Sequence, residues 1–249
     1  MKRRVAIVLL AFGWQAIPAQ TPHFEAPKLS PEQQRAALAK EEQRVHNDWA
    51  DLTHYQGENA KLPPPAPNEA RVVLLGDSIT EAWGLYFFPG KPYVNRGISG
   101  QTAPQMLVRF RQDVIALKPR VVVINAGTND IAGNTGPETL EMIEGHIQSM
   151  IELAKANRIR VVLSSVLPAG DFWWRPGLQP SGKIVALNQR LKTLAARTGC
   201  VWLDYWTAFA APDESMKPEL AIDGIHPNMA GYALMAPLVN EAVAQALKK

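Results

Sequence analysis

A single cysteine, Cys200, is all the disulfide chemistry that the 249-residue chain offers, so no intramolecular bridge can form in any compartment. Stability must come from packing. No run approaches the about 20 apolar residues that a helix needs to cross a bilayer, and the stretch from Val5 to Phe12 is too short for one. No internal repeat divides the chain, and with 47% of its residues apolar the length suits one medium-sized domain around a single core.

Basic charge is also scarce once the N-terminus is set aside. Lys2, Arg3 and Arg4 precede that apolar run, and the small residue Ala19 follows it, the pattern of a cleavable secretory peptide expected over residues 1–19. An uncleaved anchor is the alternative, and Gly13, Trp14 and Gln15 count against it by interrupting the hydrophobic stretch. Removing three cations from the 26 Lys and Arg leaves 23, equal to the 23 Asp and Glu, so the mature protein is formally neutral. No basic block remains to supply phosphate contacts, and no nucleic-acid partner is expected. The expected location is outside the cytoplasm, periplasmic or extracellular.

The remaining sequence divides at a proline-rich connector. Ser30, Pro31 and Gln33 supply an N-cap, a first-turn proline and a capping-box partner, while Leu38, Val45, Trp49 and Leu52 recur at helical spacing. They predict one long helix over residues 30–61. His46 and His54 lie in this segment without a third ligand, so they read as solvated and not as a metal site. The helix stops before the prolines of residues 62–67, which makes residues 20–67 a helical arm with a stiff connector and residues 68–249 the main domain.

Within that domain, Val72 to Leu75, Val121 to Ile124, Val161 to Leu163 and Val201 to Leu203 are continuous apolar runs, as suits strands of a parallel sheet covered on both faces. Tyr93 and Val94 mark a weaker strand. Amphipathic segments alternate with them: Leu107 to Leu117, Leu140 to Ala154, residues 182–198 and residues 228–247. This order predicts an α/β sandwich with right-handed crossovers, whose chemistry lies outside the carboxyl ends of the strands.

Polar clusters follow the strands as that rule requires. Gly76, Asp77 and Ser78 follow the first, residues 95–102 follow the weak second, and residues 125–130 follow the third. A fourth cluster, Asp223 to Pro227, precedes the last helix. A serine alcohol needs a base to take its proton, and the base needs a group that fixes its tautomer and stabilises the imidazolium. Asp223 and His226, three apart around a turn that Gly224 permits, can supply both to Ser78. The oxyanion of a tetrahedral intermediate requires donors, for which the N–H groups of Ser78 and Gly100 and the Asn129 amide are candidates. Taken singly these are weak signals, since glycine turns, loop asparagines and lone histidines are mostly structural.

Together, GDSIT at residues 76–80, ISG at 98–100, GTND at 127–130 and DGIHP at 223–227 resemble the four blocks of the SGNH or GDSL hydrolases. The resemblance spans most of residues 71–247. It implies a flavodoxin-like three-layer α/β/α sandwich with a central parallel sheet, and carboxylic ester hydrolysis through an acyl-serine with neither metal nor cofactor. Ser78 is then the nucleophile, Asp223 and His226 complete the triad, and Gly100 and Asn129 join Ser78 in the oxyanion hole. Gly97 competes with Gly100 for the second block, and the Ile-Ser that precedes Gly100 favours Gly100. No G-x-S-x-G elbow occurs, and no Walker lysine follows Gly76. A phosphate- or flavin-binding module gives no account of Asp223 to Pro227.

Asp77 and Asp130 are expected to make local Asx bonds or cap helices, His146 to be structural or exposed, and Arg96 to form a loop ion pair. Trp83, Trp173 and Trp174 are the candidate substrate contacts, because loops after parallel strands carry specificity and tryptophan stacks on sugars or lines acyl pockets. The equal alternative is that they pack on their own domain. The expected substrate is a short-chain acyl ester, acetyl foremost, on a small molecule or carbohydrate. Lysophospholipase or lipase action and acyl transfer are the alternatives that the same triad permits. No long amphipathic stretch suggests docking to a membrane.

Overall fold

The computed structural model describes residues 48–248 and, ahead of them, positions 30, 32, 35, 36, 39, 43, 46 and 47. The leader expected over residues 1–19 lies outside the described residues, as do Pro31, Gln33, Leu38 and Val45 of the expected arm helix.

Five parallel strands form the central sheet: β1 (Val72–Gly76), β2 (Tyr93–Gly97), β3 (Val121–Ile124), β4 (Arg160–Ser164) and β5 (Val201–Leu203), in the spatial order β2-β1-β3-β4-β5. This is the flavodoxin-like order, whose topological switch point lies between β1 and β3. Every residue of β1 and β3 is buried, so both sheet faces are covered, which explains unbroken valine and leucine where an exposed sheet would alternate.

Alternate strand residues feed two cores. Val73, Leu75, Val122, Ile124, Val161 and Leu163 pack with three helices, α3 (Ala103–Asp113), α5 (Leu140–Ala156) and α6 (Ser181–Thr198). Val72, Leu74, Val121, Val123, Val162 and Leu203 pack on the other face with α8 (Met229–Lys248). Three short helices, α2 (Ser78–Glu81), α4 (Thr128–Ala132) and α7 (Trp206–Phe209), follow β1, β3 and β5 directly. Local chemistry sets the helix ends. The Thr139 hydroxyl accepts from Met142 N–H at 3.2 Å to start α5, and Gly199, at φ +69°, ends α6 in the left-handed conformation.

The arm differs from the single helix expected over residues 30–61. Its described positions from 32 to 47 are helical, but the chain turns through residues 49–55 before α1 (Gln56–Lys61). The Asp48 carboxylate causes the break by accepting from the N–H groups of Leu52 at 2.7 Å and Thr53 at 3.0 Å, which commits the local backbone to a turn. The turn lays the chain across α3, where Gln101 and Gln105 donate to the carbonyls of Ala50 at 2.7 Å and Trp49 at 2.6 Å. Arg96 is buried under this crossing, with its guanidinium 4.5 Å from the Tyr55 ring centre, 2.9 Å from Asn59 Oδ1 and 3.5 Å from Glu58. The expected ion pair forms, but between strand and helix and not in a loop, because Arg96 lies near the carboxyl end of β2 and Glu58 in α1.

Candidate active site

The site begins where β1 ends. Gly76 has no room for a side chain, because a Cβ there would lie 2.1 Å from Thr80 Oγ1 and 2.9 Å from the Asn125 carbonyl. The chain therefore turns tightly. Asp77 caps α2 through its Oδ1, which accepts from Ile79 N–H at 3.0 Å, and Ser78 stands as the first helical residue. Ser78 Oγ lies 3.0 Å from His226 Nε2, and His226 Nδ1 lies 2.8 Å from Asp223 Oδ2.

Asp223 is held by its own turn. Its other oxygen, Oδ1, accepts from the backbone N–H groups of Ile225 at 3.0 Å and His226 at 2.8 Å, while Gly224 takes φ +82°. Burial pushes the Asp223 carboxyl up, but the hydrogen bonds from the His226 side chain and backbone outweigh it and hold the group at about 2. For His226, burial acts downward, and the hydrogen bond and charge of Asp223, helped by Asp77, raise the imidazole above its ordinary value. The carboxylate thus fixes Nδ1 as the donor and leaves Nε2 to accept from the serine.

Candidate oxyanion donors surround the same serine. The N–H groups of Ser78 and Gly100 meet no protein acceptor among the described residues. Gly100 is exposed at φ +76°, and a Cβ there would meet only Asn134 Nδ2 at an ordinary contact of 3.9 Å, whereas a Cβ on Gly97 would sit 2.1 Å from the Glu81 backbone nitrogen. Gly97 is thus a close-packing glycine, its N–H spent on Asn95 Oδ1 at 2.9 Å, and only Gly100 opens to the cleft. Asn129, buried at the start of α4, donates to the Gln101 carbonyl at 3.0 Å.

A model of the GDSL-like lipase/acylhydrolase family matches residues 74–234, about two thirds of the chain and all four polar clusters. The chain belongs to this family. Residues 74–234 are accordingly a carboxylic ester hydrolase module. The acetylxylan esterase of Geobacillus stearothermophilus is 30% identical over 151 residues, 57% of this chain and 68% of that enzyme. The acetylxylan esterase of Xylanibacter ruminicola is 26% identical over 224 residues, 73% of this chain, but the chain spans only 45% of that enzyme's length. Among solved structures, a GDSL-like lipase from Bacteroides thetaiotaomicron superposes with TM-score 0.77 at 43% identity, over 80% of this chain and 100% of that one. A structure from Bacteroides fragilis gives TM-score 0.78 at 45% identity, over 81% and 99% of the two chains.

The remaining candidates of this GDSL-family chain divide. Trp83 does not line the site: it is 3% exposed and packs among Phe88, Tyr205 and Tyr232, with ring centres 4.8, 6.5 and 5.9 Å away. The chain dives into the core immediately after α2, which corrects the expectation of a substrate contact. Trp173 is 68% exposed, and Trp174 stacks on Phe172 at 5.0 Å. Asp130 caps α3, accepting from Ala103 N–H at 2.8 Å. Burial pushes its carboxyl up to about 7 against that bond, and its second oxygen has no hydrogen-bond partner among the described residues. Burial likewise raises Asp77, beside the triad, to about 6.

Two contributors escaped the sequence reading. Asn134 donates to Asn129 Oδ1 at 3.0 Å and to the Gly100 carbonyl at 3.1 Å, and its spacing five after Asn129 was the only clue. Arg109 is fully buried beneath the nucleophile turn, bonding the Gly76 carbonyl at 3.1 Å and Asp113 at 3.1 Å. The polar stripe Gln105, Arg109, Asp113 on α3 resembles a solvated helix face in sequence.

Proposed function

We propose that the protein is an exported serine esterase that removes short acyl groups, acetyl foremost, from carbohydrate esters. The single observation that carries the chemistry is the continuous line Asp223–His226–Ser78, with hydrogen bonds of 2.8 and 3.0 Å, at the carboxyl edge of the sheet.

His226 Nε2 takes the Ser78 proton as Oγ attacks the ester carbonyl, and Asp223 stabilises the imidazolium that results. The oxyanion is met by the N–H groups of Ser78 and Gly100 and by the Asn129 amide. Collapse breaks the bond to the leaving oxygen, His226 returns its proton to that oxygen, and the alcohol departs. Water, deprotonated by His226, then attacks the acyl-serine. A carboxylate leaves, and Ser78 Oγ recovers its proton.

Support for the carbohydrate comes from two acetylxylan esterases among the relatives and from Trp173, exposed in the loop after β4 as a stacking face. Export is supported by the leader pattern of residues 1–19. A second reading, a lipolytic enzyme, is favoured by the exposed apolar residues Leu85, Tyr86, Ile222 and Met229, the last two flanking the Asp223–His226 turn. Among the described residues no helix is long and apolar enough to cross a membrane.

The test is hydrolysis of p-nitrophenyl esters from acetate to palmitate, beside acetylated xylo-oligosaccharides, by wild type, Ser78→Ala and Trp173→Ala. We expect serine-dependent activity that falls beyond short chains, release of acetate from the sugars, and a raised KM for the sugars alone in Trp173→Ala. Activity that rises with chain length and spares acetylated sugars would replace this reading with the lipolytic one.

A further inference from the structure

We propose that Asn134 is a positioning residue that locks the Gly100 peptide and the Asn129 amide into one frame and ties that frame, through Trp174, to the tryptophan loop. The inference rests on the reading of Gly100 and Asn129 as oxyanion donors.

The orientation of the Asn134 amide is forced by partners that cannot exchange roles. An indole N–H only donates, so Trp174 Nε1, 3.0 Å away, requires the Asn134 oxygen on its side. A peptide carbonyl only accepts, so the Gly100 oxygen, 3.1 Å away, requires the Asn134 nitrogen on the opposite side. That nitrogen has a second proton for Asn129 Oδ1 at 3.0 Å, and this in turn fixes the Asn129 amide. The far end of Asn129 is fixed independently, since its Nδ2 donates to the Gln101 carbonyl at 3.0 Å. Held at both ends, Asn129 keeps the direction of its second N–H, which rests at 3.4 Å from Asp77 Oδ2 beside Ser78 and trades that long bond for the oxyanion without substrate having to arrange it. The backbone completes the frame, because Asn134 N–H donates to the Asn129 carbonyl at 3.0 Å just past the end of α4.

The consequence is mechanical. Gly100 follows β2, Asn129 follows β3 and Trp174 follows β4, so one exposed side chain joins loops from three strands. Preorganised donors lower the transition state because they need no rearrangement as charge develops, whereas loosening them leaves ground-state binding largely intact. Loss of Asn134 therefore lowers kcat and spares KM. Asn134 is exposed, so water replaces part of what it supplies, and the effect is smaller than loss of a donor itself.

The experiment measures kcat and KM on p-nitrophenyl acetate for Asn134→Ala, Asn134→Asp, Trp174→Phe, Asn129→Ala and the double variant Asn129→Ala with Asn134→Ala. Asn134→Asp keeps the shape and the bond to Trp174 but turns oxygen towards the Gly100 and Asn129 oxygens. Both Asn134 variants are expected to lose about 10-fold in kcat with KM within about twofold and Tm nearly unchanged. The double variant should lose less than the product of the two single losses, because part of what Asn134 does is done through Asn129. Trp174→Phe, which keeps the ring stack on Phe172, should fall in the same direction. A wild-type kcat in Asn134→Asp, losses that multiply in the double variant, or an unchanged Trp174→Phe would overturn the proposal. Ser78→Ala, run alongside, separates the outcomes: if it keeps turnover, the underlying reading of the site fails instead.

Discussion

Replacing Asp223 by asparagine isolates the tautomer from the fold. Two backbone N–H groups, Ile225 at 3.0 Å and His226 at 2.8 Å, converge on Asp223 Oδ1, while His226 Nδ1 meets Oδ2 at 2.8 Å. In Asp223→Asn the amide oxygen stays with the two backbone donors, since flipping it would forfeit two bonds of about 1 kcal/mol each. The NH₂ then faces Nδ1 and forces it to accept, which moves the imidazole proton to Nε2. A protonated Nε2 donates to Ser78 Oγ and cannot take its proton. We expect kcat to fall about 10⁴-fold, the scale for this substitution in a serine triad. The carboxylate, held at about 2, also stabilises the fold at neutral pH, a contribution discounted to about 1–2 kcal/mol for a side chain 32% exposed. His226 must be neutral to act as base and is raised above its usual value, so the acid limb of wild-type kcat/KM lies above about pH 6.5. Removing its main upward influence moves the limb of any residual activity to lower pH. Stopped-flow or steady-state kinetics across pH, with calorimetry for the fold, measure all three. A kcat within tenfold of wild type in a folded Asp223→Asn would refute the reasoning.

The glycines of the second loop separate by the same logic. Gly97→Ala places a Cβ against the Glu81 backbone and should sharply lower Tm or yield, whereas Gly100→Ala meets only about 1–2 kcal/mol of left-handed strain and should lose activity more than stability. The reverse ranking would return Gly97 to the second-block role. Asn129→Ala should lower kcat by about 10²–10³-fold, and a loss confined to KM would make Asn129 a binding residue. Asp130→Asn tests the buried carboxyl: with the folded group at about 7 and the unfolded group near 3.9, the native state holds the extra proton and wild type loses stability as pH rises between them. The Tm of Asp130→Asn relative to wild type should therefore climb from about pH 4 to about pH 7, and a constant difference would contradict the assigned burial.

Much of the frame was legible because strands covered on both faces have no choice of composition. Val121 to Ile124 is the clearest case: every side chain is buried, so the run reads as strand with the same limits in sequence and structure. The meeting of Ser78 with Asp223 and His226 was legible because Ser78 follows such a run directly and the other two share one polar turn just before the last helix. Trp83 was not, since a large aromatic just after a nucleophile turn faces cleft or core with equal plausibility until Phe88, Tyr205 and Tyr232 are known to enclose it. The break in the arm helix was hidden in Asp48, whose carboxylate competes with the helix for Leu52 and Thr53 N–H groups, as an acidic residue in a charged stretch does not advertise. Arg109 and Asp113 carried no signal because their i,i+4 spacing is that of any surface pair, whereas the buried Arg109 bonds Gly76, 33 residues away in sequence.

The central claim is that Ser78 is the acylated nucleophile. Incubation with a p-nitrophenyl alkylphosphonate, followed by intact-mass and peptide mapping, tests it without any assumption about substrate. The account predicts one adduct per chain, on Ser78, formed at a rate that collapses in His226→Ala and absent from Ser78→Ala. An adduct on another residue, or ester turnover that survives in a folded Ser78→Ala, would contradict it.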